Sequence, residues 1–493
     1  MKVRVRYAPS PTGFQHIGGV RSALFNYFFA RSQGGSFILR VEDTDQTRYD
    51  EAGLQDLYDT FAWLGIRWDE GPDVGGPFAP YVQSQRFDLY QDYARKLIEQ
   101  GNAYECYCSP ARLEQIRKTP VGDKTALGYD RHCRTLTQTE IDEYRAQGVK
   151  PVIRFKIPLE GSTTMNDLLL GDIERKNEDI NPDPVLLKSD GYPTYHLANV
   201  IDDHLMEITH IMRAQEWIPS GPLHVLLYRA FGWDPPEYCH LPMVMGSDGQ
   251  KLSKRHGSTS VREFRNQGYL PEAIINYVTL LGWSYDETRE FFTKEELEHL
   301  FSLDRLNKAP AVFDYKKLDW FNGQYIRKLK PEELSKRLLP ILAHDGLVGD
   351  PPSNEERARV VEAMPLVQER LRVLNEASEV MRFLFREVEG YDAAELIPKR
   401  LDAAETVLAL ETARALLDGF AARSDEESEE QFRAKADEMG MKLGDLLMPV
   451  RVATTGTRVS PPLFGSLRLI GEPTVMKRID NAIRFLRNRG DNG

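Results

Sequence analysis

Residues 3–28 restrict the fold more tightly than any other stretch. Val3-Arg-Val-Arg-Tyr7 alternates with a period of two, the pattern of a short strand. Pro9, Pro11 and Gly13 then stop it. From Val20 onward the apolar residues Val20, Ala23, Leu24, Tyr27 and Phe28 recur at helical spacing. His16, Gly18 and Gly19 therefore sit in a turn that opens a helix. Free N–H groups and the positive end of the helix dipole point there, and glycine lets a nucleotide approach the backbone closely. Such a turn suits phosphate. Gly34-Gly35 ends the helix, and Phe37-Ile-Leu-Arg-Val41 reads as a second strand. The unit is βαβ with a right-handed crossover. Glu42-Asp-Thr-Asp45 follows the second strand and so lies in the crevice at the carboxyl ends of parallel strands, with Glu42 facing it.

Two familiar phosphate loops are excluded. The stretch contains no G-x-G-x-x-G. Gly13 and Gly18 have Walker A spacing, but Gly19 stands where the lysine belongs and Val20 replaces Ser/Thr.

A second cationic turn lies about 235 residues further on, at Gly249-Gln-Lys-Leu-Ser-Lys-Arg-His-Gly257. Lys251, Lys254 and Arg255 crowd a short loop between glycines. A charge run of this kind is ordinarily a solvated face. Its alternative use is to hold an anion.

Between these turns the pattern changes. Residues 90–189 are a mixed stretch carrying Cys106, Cys108 and Cys133. The α/β pattern returns near 190, and Met206-Glu-Ile-Thr-His-Ile-Met212 alternates like a strand ending in Arg213. An insertion between two halves of one nucleotide-binding sheet explains this order. Short helices dominate 226–330, with a capping box from Thr293 to Glu296. Residues 331–493 read as all helix. There Val475, Ile479, Ala482, Ile483 and Leu486 form one apolar stripe, whose basic flank of Lys477, Arg478, Arg484 and Arg487 suggests RNA contact. The acidic run from Asp425 to Glu430 is expected to be a solvated helix start.

At 493 residues the chain exceeds one core, so two to four domains are expected. No apolar run reaches membrane-spanning length, and the N-terminus carries Lys2, Arg4 and Arg6 instead of a signal peptide, so a cytoplasmic location is expected. Four cysteines do not make a disulfide scaffold. The net charge of −12 argues against a wholly basic nucleic-acid coat, though polyanion binding follows local patches.

The two turns together identify a family. Ala8-Pro-Ser-Pro-Thr-Gly13 followed by His16-Ile-Gly-Gly19 resembles the HIGH motif of class I aminoacyl-tRNA synthetases in its glutamyl form. The last histidine of the general motif is absent, which leaves His16 alone. Lys251-Leu-Ser-Lys-Arg255 resembles the KMSKS loop, departing at Leu252 and Arg255. The likeness to the bacterial glutamyl-tRNA synthetase family covers nearly the whole chain.

That resemblance implies a multidomain chain: a Rossmann-like parallel-sheet catalytic domain (1–89 and 190–225), an inserted α+β acceptor-stem domain (90–189), a helical stem-contact domain with the KLSKR loop (226–330), and an all-α anticodon-binding region (331–493). It implies ATP-dependent ligation of glutamate to tRNA(Glu) through a glutamyl-adenylate, in a monomer, with Mg²⁺ carried by ATP. His16, Gly18, Gly19, Lys251, Ser253 and Lys254 would bind ATP, with His16, Lys251 and Lys254 catalytic. Arg6 and Arg213 would fork onto the side-chain carboxylate, Ser10, Tyr195, Asn199 and Trp217 would line the pocket, and Glu42 would take the ammonium. Zinc is not expected, because Thr135 stands at the last place of a C-x-C…C-x-H set. Rival readings are another HIGH-type nucleotidyltransferase with a small acceptor, a glutaminyl or non-discriminating synthetase, and a non-enzymatic tRNA binder. The helical arm opposes the first, the HIGG form and helical C-terminal half oppose the second, and intact His16, Lys251 and Lys254 oppose the third.

Overall fold

A computed structural model describes residues 2–45, 47–118 and 128–490. The chain forms two compact units, one of residues 1–265 and 274–314, the other of 266–273 and 315–493.

In the first unit the expected βαβ start is present. Strand Arg4–Tyr7 pairs in parallel with strand Ser36–Leu39, and helix Ile17–Ser32 joins them. Val20, Ala23, Leu24, Phe25 and Phe28 are all wholly buried, as in a helix covered on more than one side. Thr209 N donates to Arg4 O at 2.9 Å, which sets strand His210–Ala214 beside the first strand. That strand runs parallel to Glu237–Leu241, with Arg213 opposite His240.

The reading of 206–212 as one strand is corrected here. Met206 is the C-cap of helix Tyr195–Leu205, Glu207 has a φ of 54°, and extended backbone begins only at His210. Met206 and Ile208 are buried, but they pack a helix end and a tight turn. Their alternation imitates a pleat. Nor is the stretch beyond 225 only helical, since Glu237–Leu241 belongs to the parallel sheet.

The insertion is α+β, as expected. Strands Ala103–Cys106, Val152–Phe155 and Val185–Leu187 make a small antiparallel sheet. Hairpin Ser162–Asp167/Gly171–Lys176, however, joins the catalytic sheet, where Asp167 pairs with Tyr238.

The second unit contains no strand among its described residues. Its core includes Leu338, Val360, Leu410 and Val450, and the stripe Val475, Ile479, Ala482, Ile483 and Leu486 is buried as expected. The basic flank behaves differently. Arg478 is 4% exposed, and its guanidinium donates to Phe383 O at 2.9 Å, Thr454 O at 2.6 Å and Arg386 O at 2.8 Å. Lys477 pairs with Glu387 at 2.8 Å, and Arg487 pairs with Glu411. Arg478 therefore holds helices together, and the helical spacing that put it on a flank could not show its partners. The Asp425 helix start is capped by Ser424, with Asp425 bonded to Arg468. Among the described residues no helix is long and apolar enough to cross a membrane.

Candidate active site

His16 is the N-cap of helix Ile17–Ser32, and its Nδ1 accepts from Gly18 N–H at 3.0 Å. Val20 N donates to His16 O at 3.0 Å, which starts the helical ladder. Gly19 has a packing reason to be glycine: a Cβ there would stand 2.9 Å from Tyr7 Oη. The two sequence motifs meet through backbone. Ile17 N donates to Thr259 O at 2.9 Å and Val261 N to Gln15 O at 3.0 Å, so the residues following the KLSKR loop bracket His16. Lys251 itself lies on a tight loop where Leu252 N donates to Val244 O at 2.9 Å and Gly249 turns the chain with φ 73°.

A cavity of about 810 Å³ opens over these elements. Arg6, Ser10, His16, Gly18, Gly19, Glu42, Tyr195, Asn199, Arg213, Trp217 and Lys251 all line it. Ser253 and Lys254 do not. Ser253 is half-buried and bonds to His256, while Lys254 is exposed on the following turn. Their loop would have to shift for either side chain to reach an anion in the cavity.

Electrostatics divides the cavity. Burial and the nearby Lys251 ammonium hold His16 below its ordinary pKa, so the imidazole is neutral at pH 7. With Nδ1 accepting from Gly18, the His16 proton sits on Nε2. Lys251 pairs with Glu216 at 2.5 Å, a residue the sequence reading missed because only the fold brings it near. At the other side, Arg40 is wholly buried between Asp203 at 2.8 Å and Glu42 at 2.9 Å. Arg6 places Nε and Nη2 on the same Asp203 at 2.9 and 3.1 Å. Burial raises the Glu42 carboxyl above its ordinary range, against the pull of Arg40. Asn199 Nδ2 donates to Glu42 Oε1 at 3.2 Å, and Ser10 Oγ to Glu42 O at 2.8 Å.

Arg6 and Arg213 thus reach one cavity, as expected, but they are not equivalent. Most of the Arg6 fork faces Asp203. Arg213 has no carboxylate partner among the described residues: Nη1 donates to Tyr195 Oη at 3.0 Å, Nη2 to Trp217 O at 3.4 Å, and Nε to His240 Nε2 at 3.0 Å. Trp217 leans on the Tyr195 ring, with centroids 4.7 Å apart. Arg21 also lines the cavity, 3% exposed, with Nε and Nη2 unpartnered among the described residues, and burial lowers its pKa to about 10. It escaped the sequence reading because it sits within an apolar helical run.

Away from this cavity, Cys106, Cys108 and Cys133 converge, their sulfurs within 4.8 Å of one another. Cys106 Sγ lies 3.3 Å from Tyr129 Oη. Cys106, Cys133 and Cys239 are buried, Cys108 is half-buried, and no disulfide joins them. Three convergent thiols are three of the four ligands a structural zinc site takes, and Tyr129 Oη stands beside them. Sequence spacing offers His132, next to Cys133, and the non-ligating Thr135 as fourth positions; the fold instead brings Tyr129 to the sulfurs.

The comparisons agree with this geometry. Residues 2–320 match the family model of "tRNA synthetases class I (E and Q), catalytic domain", and residues 333–483 that of "Anticodon binding domain". The chain belongs to the class I tRNA synthetases of the E and Q family. Within that class it is 57% identical to the glutamate–tRNA ligase of Treponema denticola, over 98% of this chain and 99% of that protein. It is equally identical to the glutamate–tRNA ligase of Borreliella burgdorferi, over 99% of each. Among solved structures it resembles the glutamate tRNA ligase of Elizabethkingia meningosepticum in complex with its amino acid, with a TM-score of 0.87, 35% identity, and coverage of 99% of this chain and 100% of that one.

Proposed function

We propose that this protein ligates L-glutamate to tRNA(Glu), using ATP and releasing AMP and pyrophosphate. The observation that carries the reading is one cavity lined both by a histidine-capped helix N-terminus with Lys251 and by an arginine without a carboxylate partner among the described residues. The first end suits polyphosphate; the second suits an acidic side chain.

Glutamate's α-carboxylate attacks the α-phosphate of ATP, forming the glutamyl-adenylate and expelling pyrophosphate. The terminal ribose of the tRNA then takes the acyl group. No protein nucleophile is needed, so catalysis consists of positioning and charge stabilisation. His16 Nε2–H donates to the α-phosphate, with the helix dipole behind it. Gly18 N–H is engaged by His16, so its role is to orient that imidazole. Lys251 exchanges Glu216 for phosphate oxygens, and Lys254 and Ser253 join it once the loop turns inward. Mg²⁺ arrives with ATP. Arg213 forks onto the side-chain carboxylate, Arg6 adds charge beside Asp203, and Glu42 takes the ammonium. Ser10, Tyr195, Asn199 and Trp217 fix the walls.

The inserted segment 90–189 holds the acceptor stem, 226–330 contacts the stem and 331–493 reads the anticodon, with Arg370, exposed in the structure, as a candidate reader. The same reading takes the protein as a cytoplasmic monomer. The test is ATP–pyrophosphate exchange with each amino acid, with and without total tRNA. Glutamate alone should support exchange, and only when tRNA is present. Exchange with glutamine at a comparable rate would favour the glutaminyl reading.

A further inference from the structure

Arg213 is one end of a line of three buried side chains that crosses three adjacent strands. Its Nε–H donates to His240 Nε2 at 3.0 Å, and His240 Nδ1 stands 2.7 Å from Asp167 Oδ2. Arg213 and His240 are register partners, and Asp167 ends the hairpin strand that pairs with Tyr238. His240 is wholly buried and Asp167 is 2% exposed.

Donor and acceptor chemistry fixes every proton in this line. A guanidinium Nε can only donate, so His240 Nε2 must carry a lone pair. The one proton of the neutral imidazole then lies on Nδ1, where it is donated to Asp167. Protonating His240 on Nε2 would set two N–H groups and two cations against each other at 3.0 Å. Asp167 is itself anchored: Oδ1 accepts from Leu169 N at 3.0 Å and Leu170 N at 2.9 Å, and Oδ2 also accepts from His240 N at 2.9 Å. Asp167 is thus the carboxylate nearest to Arg213 along this line, yet the imidazole between them keeps it from occupying the Arg213 fork. An acid in direct contact would cancel the charge that reads the substrate, as Asp203 does for much of Arg6.

We propose that Asp167 and His240 are specificity-determining positioning residues: they hold Arg213 by its Nε edge, in one orientation, while Nη1 and Nη2, which bond Tyr195 Oη at 3.0 Å and Trp217 O at 3.4 Å, lie along the cavity that takes the amino acid. The inference rests on the assignment of Arg213 as the reader of the side-chain carboxylate. It assigns to the hairpin, which in sequence lies within the insertion, a part in amino acid selection.

The experiment is tRNA-dependent pyrophosphate exchange by the full chain, measuring KM and kcat for glutamate, kcat/KM for glutamine, and KM for ATP. In Asp167→Asn the two Leu N–H donors retain the amide oxygen. The NH₂ then loses the backbone His240 N–H that Oδ2 accepted and donates to His240 Nδ1, which imposes the tautomer that opposes Arg213. Glutamate KM should rise about 10–100-fold, the scale for losing an orienting partner behind a ligating group, with ATP KM within about twofold and the glutamate-to-glutamine ratio reduced. His240→Leu should do the same. His240→Gln, which returns an acceptor to Arg213, should recover most of the loss. This second pair of variants leaves the Asp167 amide contacts alone, so it decides the matter if Asp167→Asn folds poorly. The proposal is overturned if His240→Leu keeps glutamate KM and the ratio near wild type, if His240→Gln is no better than His240→Leu, or if ATP KM rises in step with glutamate KM. Arg213→Gln, run alongside, separates the layers: an unchanged ratio there removes the assignment of Arg213 itself, whereas a changed ratio with silent His240 variants removes only the positioning pair.

Discussion

The His16 Nδ1 atom accepts the Gly18 N–H at 3.0 Å, so the imidazole both caps its helix and presents a single donor, Nε2–H. Two functions share one side chain, and substitution can separate them. Asn at position 16 keeps an N-cap oxygen, whereas Ala removes it at a cost of about 1 kcal/mol. Both lose the Nε2–H donor. His16→Asn and His16→Ala should therefore lower kcat in pyrophosphate exchange alike, by roughly 10²–10³-fold. Only His16→Ala should shift the urea midpoint clearly. Near-parental exchange by His16→Asn would show that the histidine serves the helix alone.

Lys254 lies outside the cavity lining, while Lys251 lies within it. If the loop turns inward during activation, Lys254→Ala removes a charge felt mainly in the transition state. The expected loss in kcat is roughly 10²–10³-fold, with little change in glutamate KM. A kcat within threefold of the parent would leave Lys251 as the only lysine of this loop acting on phosphate.

Asp203 joins Arg6 and Arg40 beneath the cavity floor. Burial alone would push its carboxyl up, but Arg6 and Arg40 outweigh burial and hold it below the ordinary carboxylate range. The sign follows: a depressed folded pKa contributes stability above the unfolded value of about 3.9, and that contribution is lost as pH falls below it. Asp203→Ala leaves two buried guanidiniums short of a partner and should cost about 3–5 kcal/mol. Chemical denaturation at pH 7 and at about pH 3.5 measures both effects. The difference between parent and variant should shrink at the lower pH; a difference independent of pH would contradict the linkage.

Arg478 supplies a contrast in the helical unit. Two of its three carbonyl contacts are buried and the third, to Arg386 O, partly so; Arg478→Ala should lower stability by roughly 1–3 kcal/mol for each buried acceptor left unpaired. Lys477→Ala should hardly affect stability, because its pair with Glu387 is exposed. Neither should alter the tRNA KM by more than about threefold once folded protein is counted. A large tRNA effect from Arg478→Ala at unchanged Tm would restore the RNA contact inferred from the sequence.

The residues legible in the sequence were those whose roles follow from local backbone. His16, Gly18 and Gly19 were placed because a strand, a turn and a helix leave one arrangement of N–H groups. The helical stripe from Val475 to Leu486 was placed because periodicity dictates burial. What periodicity cannot convey is which charge meets which. Arg478 looked like a flank and proved to be a buried tie. Met206–Ile208 alternated like a strand because a helix end and turn bury the same residues. Asp203, Glu216, His240 and Asp167 gave no local signal, since each acquires its partner across a long sequence separation.

Selectivity between glutamate and glutamine follows from the Arg213 contacts. Glutamine replaces one carboxylate oxygen by NH₂ and loses the charge. Guanidinium offers only donors. With Nε bound to His240, Nη1 to Tyr195 Oη and Nη2 to Trp217 O, Arg213 is fixed in place and offers an NH₂ group no acceptor. That group would be left unpaired, at roughly 1–3 kcal/mol, and more because the arginine also loses its counter-charge. Sites built around such a contact reject the wrong ligand by about 10⁴–10⁵, so the parent should use glutamine at least about a thousandfold less well. Arg213→Gln supplies an acceptor and a donor, and should narrow the gap chiefly by damaging glutamate. Arg213→Lys should not restore activity, because a point charge cannot reach His240, Tyr195 and the carboxylate together. The measurement is kcat/KM for both amino acids in tRNA-dependent exchange. An unchanged ratio in Arg213→Gln would move the reading of the side chain to Arg6, whose fork would then have to leave Asp203.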